Sequence, residues 1–102
     1  MQINYKDLKF LPGTEQLAQR GSIPGGTKRN LSYASNFTHF AESITELHQL
    51  MIADAQTSGG LLIALPQDQT VEFLDSYNDK APISAFHIGT VMENSEALIT
   101  VL

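Results

Sequence analysis

Two short stretches of the sequence combine adjacent glycines with hydroxyl-bearing side chains, namely IPGGTKRN at residues 23–30 and DAQTSGG at residues 54–60. Because glycine has no Cβ, such a stretch can turn tightly and bring its backbone close to a ligand. Consecutive backbone amides and nearby hydroxyl groups are suitable donors for an anion such as phosphate. Both stretches are therefore candidate anion-binding loops.

The first stretch has the pattern of a helix start. Thr27 is predicted to cap a helix over residues 27–34, which leaves first-turn amides and the positive end of the helix dipole facing outward beside Lys28 and Arg29. A helix end of this kind can bind phosphate. The spacing is not that of a P-loop, however, and a Gly-Gly turn before threonine also begins many helices that bind nothing. Lys28 and Arg29 are as consistent with a solvated surface as with phosphate neutralisation.

The second stretch is also open to two interpretations. The amides around Gly59 and Gly60, with the hydroxyl groups of Thr57 and Ser58, are able to hold an anion. Alternatively, the glycines serve only a tight connection between a helix and a strand. Asp54 is a single carboxylate, which is not enough for a metal site, and we expect it to accept hydrogen bonds from loop amides.

The other residue types offer little for catalysis. His39, His48 and His87 are scattered, without a second histidine or a carboxylate at a recognisable ligand spacing, and we expect structural or surface roles for them. Neither a nucleophile elbow nor an H-E-x-x-H motif is present. The sequence therefore predicts no catalytic residue and no metal ligand in this chain.

Hydrophobic periodicity predicts an α+β fold, an α/β sandwich in which a mixed sheet of about four strands carries helices on one face. The predicted helices are a short one capped by Thr14 and ended by Gly21, followed by residues 27–34, by a helix with apolar spacing over 46–52 that ends at Asp54, and by residues 68–77. The predicted strands are residues 2–6, 60–66, 83–92 and 97–102. The segment GLLIALP at 60–66 is predicted as an interior strand buried on both faces, and the last two strands as a hairpin turned by ENSE at 93–96. Residues 35–45 show no clear period and are predicted as loop.

Composition narrows the class of protein. The 102 residues fit one domain, and 42% hydrophobic and 17% charged residues are ordinary for a globular protein. A formal net charge of −5 disfavours nucleic-acid binding, which needs an excess of cations. The absence of cysteine excludes disulfides and thiol chemistry within the chain and fits a cytoplasmic location. No signal peptide is recognisable, and the longest apolar run, LLIAL, is too short to cross a membrane.

The two glycine-rich stretches together resemble the C-terminal part of selenophosphate synthetase (selenide, water dikinase). In that family a PGGT-x-x-N stretch precedes a DPQTSGGLL stretch, and the chain matches both except for Ala55, which stands where proline is usual. The segment FHIGTV at 86–91 is similar to the family's A-x-I-G-x-V strand, so the resemblance extends nearly to the end of the chain.

The resemblance implies a partial C-terminal domain of the aminoimidazole ribonucleotide synthetase type, with residues 1–102 as the second half of that domain. It implies an enzyme that converts selenide, ATP and water to selenophosphate, AMP and phosphate with magnesium, for selenocysteine and selenium-modified tRNA. It also implies that the residues that contact the nucleotide phosphates are those of the two glycine stretches, as backbone and hydroxyl donors: Gly25, Gly26, Thr27, Gln56, Thr57, Ser58, Gly59 and Gly60.

The family's N-terminal domain is not recognisable here. Its glycine-rich segment with Cys or selenocysteine and Lys, its metal-binding aspartates and the D-x-T-G-F-G-x-x-G-H stretch have no counterpart in the chain. We therefore expect a fragment that is inactive alone and that pairs with the missing N-terminal nucleotide-binding domain, without tightly bound ATP or magnesium of its own. The alternatives are a non-catalytic module that associates with itself, as a homodimer, or with another chain, and a sister enzyme of the same superfamily.

Overall fold

The computed structural model describes residues 1–93 and 97–102, and within them the fold is α+β, with a mixed four-stranded sheet and four α-helices. The strands are β1 Gln2–Ile3, β2 Thr38–Phe40, β3 Gly89–Thr90 and β4 Ile99–Val101. The helices are α1 Thr14–Gln19, α2 Gly25–Ala34, α3 Glu46–Ile52 and α4 Thr70–Asn78, with 3-10 turns at Tyr5–Asp7 and Gln67–Gln69. The predicted fold class is confirmed.

The sheet is organised around β1 and β4, with the strand order β2-β4-β1-β3. Strand β4 pairs in parallel with both β1 and β2, whereas β1 pairs antiparallel with β3. The predicted hairpin between the last two strands is therefore wrong, because β1 lies between β3 and β4. Most of the turn predicted for that hairpin, residues 94–96, lies outside the described residues.

Two strand predictions fail for a physical reason. Residues 60–66 form no strand and are paired with none of the described residues, and in the segment 83–92 only Gly89–Thr90 is strand. Conversely, Thr38–Phe40 is a strand within the segment predicted as loop, because β4 supplies a parallel partner. A β-strand exists only when another strand satisfies its backbone, so local composition alone does not decide it.

The helix predictions are closer to the structure than the strand predictions, except for the capping residues. Helix α3 begins at Glu46 as predicted and ends at Ile52, two residues before the predicted end, and the Thr45 side chain accepts a hydrogen bond from the His48 amide at its start. Helix α1 ends as predicted before Gly21, which has a φ of +79°. Its N-cap is Gly13 rather than Thr14, whose hydroxyl donates instead to the Leu11 carbonyl at 2.8 Å. Helix α4 begins two residues later than predicted, after a 3-10 turn.

The buried core is small. Its apolar members are Ile44, Met51 and Val101, which come from the residues before α3, from α3 itself and from β4. Helix α3 packs against both α1 and α2, so it is the central one of these three helices. In the described part of the chain, no helix has the length and apolar character needed to cross a membrane.

Strand β3 approaches β1 so closely that only glycine fits at position 89. A Cβ at Gly89 would overlap the carbonyl oxygen of Gln2 and would lie 2.9 Å from the Cα of Ile3. Both are backbone atoms of β1, which cannot move without breaking the pairing of β1 with β4. Gly89 therefore allows β3 to join the sheet.

We expect Gly89→Ala to lower the free energy of unfolding by about 2 kcal/mol or more, because the added methyl group forces β3 away from β1. Urea denaturation followed by circular dichroism measures this loss. The matched control is Thr90→Ala, in which an exposed side chain of the same strand is shortened. Equal stabilities for the two variants would contradict the proposed close contact.

Candidate anion-binding site

Thr27 brings the two glycine-rich stretches together. Its side chain is 1% exposed, and its hydroxyl group donates to Oδ1 of Asp54 at 3.2 Å and accepts from the amide of Ala55 at 3.1 Å. The hydroxyl is thus used both as donor and as acceptor, across two segments that are distant in the sequence. The two candidate loops therefore share one surface of the molecule.

Thr27 does not cap α2, in contrast to the sequence prediction. The helix begins at Gly25, Pro24 is the N-cap residue without a side-chain cap, and the amide of Thr27 donates to the Pro24 carbonyl at 3.1 Å. Thr27 lies within the first turn of α2 rather than at its N-cap. Its hydroxyl group is therefore not used for capping and can hydrogen-bond to the second loop. Asp54 likewise accepts from this hydroxyl group rather than from the loop amides expected for it.

Gly26 and Asn30 reinforce the contact between α2 and the second loop. A Cβ at Gly26 would lie only 2.9 Å from the Cβ of Ala55, so glycine is required for the helix and loop to touch. The Asn30 side-chain amide donates to the carbonyl of Ala53 at 3.2 Å. Asn30 is not among the site residues predicted from the sequence, although its position three residues after Thr27 places both on one helix face.

Arg29 adds positive charge to the start of α2. Its guanidinium nitrogens would lie 3.7 Å and 3.9 Å from Cβ atoms built on Gly25 and Gly26, so the side chain folds back over the first turn. Among the described residues neither Arg29 nor the exposed Lys28 forms an ion pair. The helix dipole places partial positive charge at the same end. The positive charge of Arg29 and of the helix end thus lies on the same surface as the carboxylate of Asp54.

The second half of the loop leaves its backbone unbonded. Residues 56–60 are exposed, and within the described part of the chain their amides make no hydrogen bond. A Cβ at Gly59 would lie 3.2 Å from Oε1 of Gln56, whereas one at Gly60 would meet nothing within 4 Å. The amide donors expected at this loop are thus accessible.

The three histidines belong to no metal-binding group among the described residues. His39 and His87 are exposed, and no group of three or more His, Cys, Asp or Glu side chains able to hold a metal occurs among the described residues. His48 stacks on Tyr5 with ring centroids 4.4 Å apart, and its buried Nδ1 has no hydrogen-bond partner among the described residues. His48 is therefore a packing residue, although its polarity is not fully satisfied.

Tyr5 lies between His48 and Phe10, whose ring centroid is 5.8 Å away, and its hydroxyl contacts the sulfur of Met51 at 3.9 Å. Burial, and to a smaller extent the negative charge of Glu15, raises the pKa of Tyr5 above its ordinary value of 10.0. The folded protein therefore holds this proton at a pH at which the unfolded chain has lost it.

No protein-family model matches the chain. The chain is similar, however, to curated proteins named selenide, water dikinase. It is 33% identical over 101 residues to that of Aliarcobacter butzleri, which covers 99% of this chain and 29% of the relative. It is 33% identical over 102 residues to that of Clostridioides difficile, which covers 100% and 29%. It is 41% identical over 75 residues to that of Myxococcus xanthus, which covers 74% and 21%.

These matches agree with the resemblance carried by the two glycine-rich stretches. The chain belongs to the selenide, water dikinase family, as a sequence that corresponds to a part of these proteins. It spans less than a third of the length of the relatives named above.

We expect Thr27→Val to lower the free energy of unfolding by about 1–3 kcal/mol, because the isosteric change removes the acceptor of the Ala55 amide and the donor to Asp54 at a side chain that is 1% exposed. Thr27→Ser, which keeps the hydroxyl, is the matched control and should retain most of the stability. Urea denaturation gives the free energies. Hydrogen exchange at the Ala55 amide should accelerate in the valine variant, and an unchanged rate would contradict the bond.

We expect the stability of the protein to fall as the pH rises above about 10, since a raised Tyr5 pKa means that the unfolded state releases its proton first. Below pH 10 this contribution is fully present, and it is lost as the pH passes through the pKa of the folded state. Denaturation at a series of pH values, with phenolate absorbance as the titration signal, measures the effect.

Tyr5→Phe should flatten this alkaline slope and Glu15→Gln should lower the Tyr5 pKa. The control is Tyr33→Phe, since the Tyr33 side chain is 73% exposed. An alkaline slope that is the same in Tyr5→Phe and in the unmodified protein would show that the Tyr5 pKa is not raised.

Proposed function

We propose that the chain is part of a selenide, water dikinase and that it is inactive without the rest of the enzyme. The complete enzyme would convert selenide, ATP and water to selenophosphate, AMP and phosphate, and supply selenium for selenocysteine and selenium-modified tRNA. Residues 1–102 would form the second half of its C-terminal domain and pair with the N-terminal nucleotide-binding domain. A cytoplasmic location, expected from the absence of cysteine, is part of the same proposal.

The observation that supports a role for the glycine-rich stretches is the bridge through Thr27. Because this bridge fixes the 54–60 loop beside the first turn of α2, donors from both segments can face one group of phosphates. The donors would be the amides of Gly25 and Gly26, the amides of the second loop, and side-chain hydroxyl and amide groups of that loop.

Each donor has one task in this proposal. The amides of Gly59 and Gly60 and the hydroxyls of Thr57 and Ser58 would bind phosphate oxygens, and Gln56 would add a side-chain amide. Thr27 would position the loop rather than touch the ligand, because both roles of its hydroxyl are already used. None of these groups transfers a proton.

In this proposal the chain contributes to the binding of ATP but not of magnesium. The unbonded amides, together with the guanidinium of Arg29, suit the phosphates of ATP. Magnesium is held by one or two carboxylates together with phosphate oxygens, and among the described residues the carboxylate that the structure places beside Thr27 is that of Asp54 alone, whose Oδ1 already accepts a hydrogen bond. We therefore assign metal binding to the rest of the enzyme. The names of the matched relatives favour an enzyme over a non-catalytic module.

The proposal can be tested in a chimera in which this chain replaces the matched 101 residues of the Aliarcobacter butzleri protein. Gly60→Ala should leave the Tm unchanged, since the added methyl group meets nothing within 4 Å. It should nevertheless raise the KM for ATP about tenfold, because it obstructs the approach of a phosphate to the backbone, a loss of about 1.4 kcal/mol of binding energy. Selenide-dependent release of AMP measures the activity.

Ser84→Ala, a change at an exposed position outside both loops, is the control and should alter neither Tm nor KM. A chimera that folds but forms no selenophosphate would contradict the proposed function. Binding of ATP to the isolated chain with a Kd of about 1 mM or tighter, measured by calorimetry, would contradict the requirement for the rest of the enzyme.

A further inference from the structure

The segment LLIAL at residues 61–65, called here the apolar segment, is exposed along its whole length. The exposed fractions are 92% for Leu61, 66% for Leu62, 51% for Ile63 and 37% for Leu65. Single exposed aliphatic residues are common on protein surfaces, but five consecutive apolar residues form a contiguous patch of the kind found at interaction sites. The patch therefore requires an explanation.

The backbone of this segment has no hydrogen-bond partner among the described residues. From residue 56 to residue 65, no amide or carbonyl group forms a hydrogen bond with any part of the chain that the structure describes. A row of unpaired amides and carbonyls is the template to which another strand can add. Its sequence, apolar on both sides and bounded by Gly60 and Pro66, is that of a strand covered on both faces.

An apolar groove adjoins one end of the segment. Leu65 lines an open cavity of about 690 Å³ together with Phe73 and Tyr77 of α4, whose rings stack with centroids 5.7 Å apart. Helix α4 packs mainly against the 3-10 turn before it. The apolar segment and this groove thus form one continuous surface that the described residues leave uncovered.

We infer that the apolar segment becomes a β-strand in the intact enzyme by pairing with an extended apolar segment from the part of selenide, water dikinase that this chain does not match. The inference rests on the proposed function. Its support is the length of the relatives, of which the chain spans only 29% while 99% of the chain itself is matched. The remaining part of such a protein is long enough to supply the missing strand.

Net charge argues against a second copy of this chain as the occupant. The chain has a formal net charge of −5, and a net charge far from zero opposes association between identical chains. The charged residues that line the groove itself are Glu72 and Lys80.

Hydrogen exchange measured by mass spectrometry tests the inference. In the isolated chain, the amides of residues 61–65 should exchange at nearly the rate of an unstructured peptide, independent of protein concentration. In the Aliarcobacter butzleri chimera described above, the same amides should exchange at least about 100-fold more slowly. Equal rates in the two proteins would overturn the inference, and so would protection in the isolated chain that grows with its concentration, which would identify a second copy as the occupant.

Paired substitutions give a second readout. Leu62→Lys should lower the Tm of the chimera by about 5 °C or more, whereas in the isolated chain it should change the Tm by less than about 2 °C. Leu11→Lys, at a position that is 82% exposed and outside this surface, is the matched control and should leave both proteins unchanged. A large loss of Tm for Leu62→Lys in the isolated chain would show that the segment is already covered.

The outcomes separate this inference from the proposed function. Protection of residues 61–65 in a chimera that makes no selenophosphate would support the strand pairing and count against the function. An active chimera in which residues 61–65 stay unprotected would support the function and count against the strand pairing. A chimera that fails to fold would count against the inference, because a chain that complements the remaining part should complete its fold.

Discussion

The hydroxyl group of Thr27 joins segments that lie 27 and 28 residues apart in the sequence, through Oδ1 of Asp54 and the amide of Ala55. A buried hydroxyl stabilises a fold only when its hydrogen bonds are made, and here both roles are used at a side chain that is 1% exposed. The position of the 54–60 loop against α2 depends on this group. Gly26 makes the same contact possible, because any side chain there would collide with Ala55.

The departure from the family pattern at position 55 has a physical consequence in this arrangement. Proline has no backbone N–H, so the usual residue of the family could not donate to Thr27. Ala55 supplies that donor. The loop of this chain is therefore held by a hydrogen bond that depends on the residue in which it differs from the motif.

Stabilising contacts are concentrated in one part of the described chain. Helices α2 and α3, strand β4 and the residues just before α3 contain the buried residues, whereas α1, α4 and residues 56–65 contribute none. Charge is also unevenly distributed, since the first turn of α2 carries Arg29 although the chain has a formal net charge of −5. Net charge bears on long-range attraction to nucleic acid, but the local charge at a helix end decides whether an anion can bind there.

The sequence by itself determined the fold class, the start of α3 and the two glycine-rich stretches that led to the family, because helix periodicity and motif spacing are local properties. Only the tertiary structure decided the partners of Thr27, the need for glycine at position 89, and the position of β1 between β3 and β4. It also decided that residues 60–66 pair with no strand among the described residues. Strand pairing and buried hydrogen bonds join residues far apart in the chain, so local patterns predict which segments could form them but not which partners they meet.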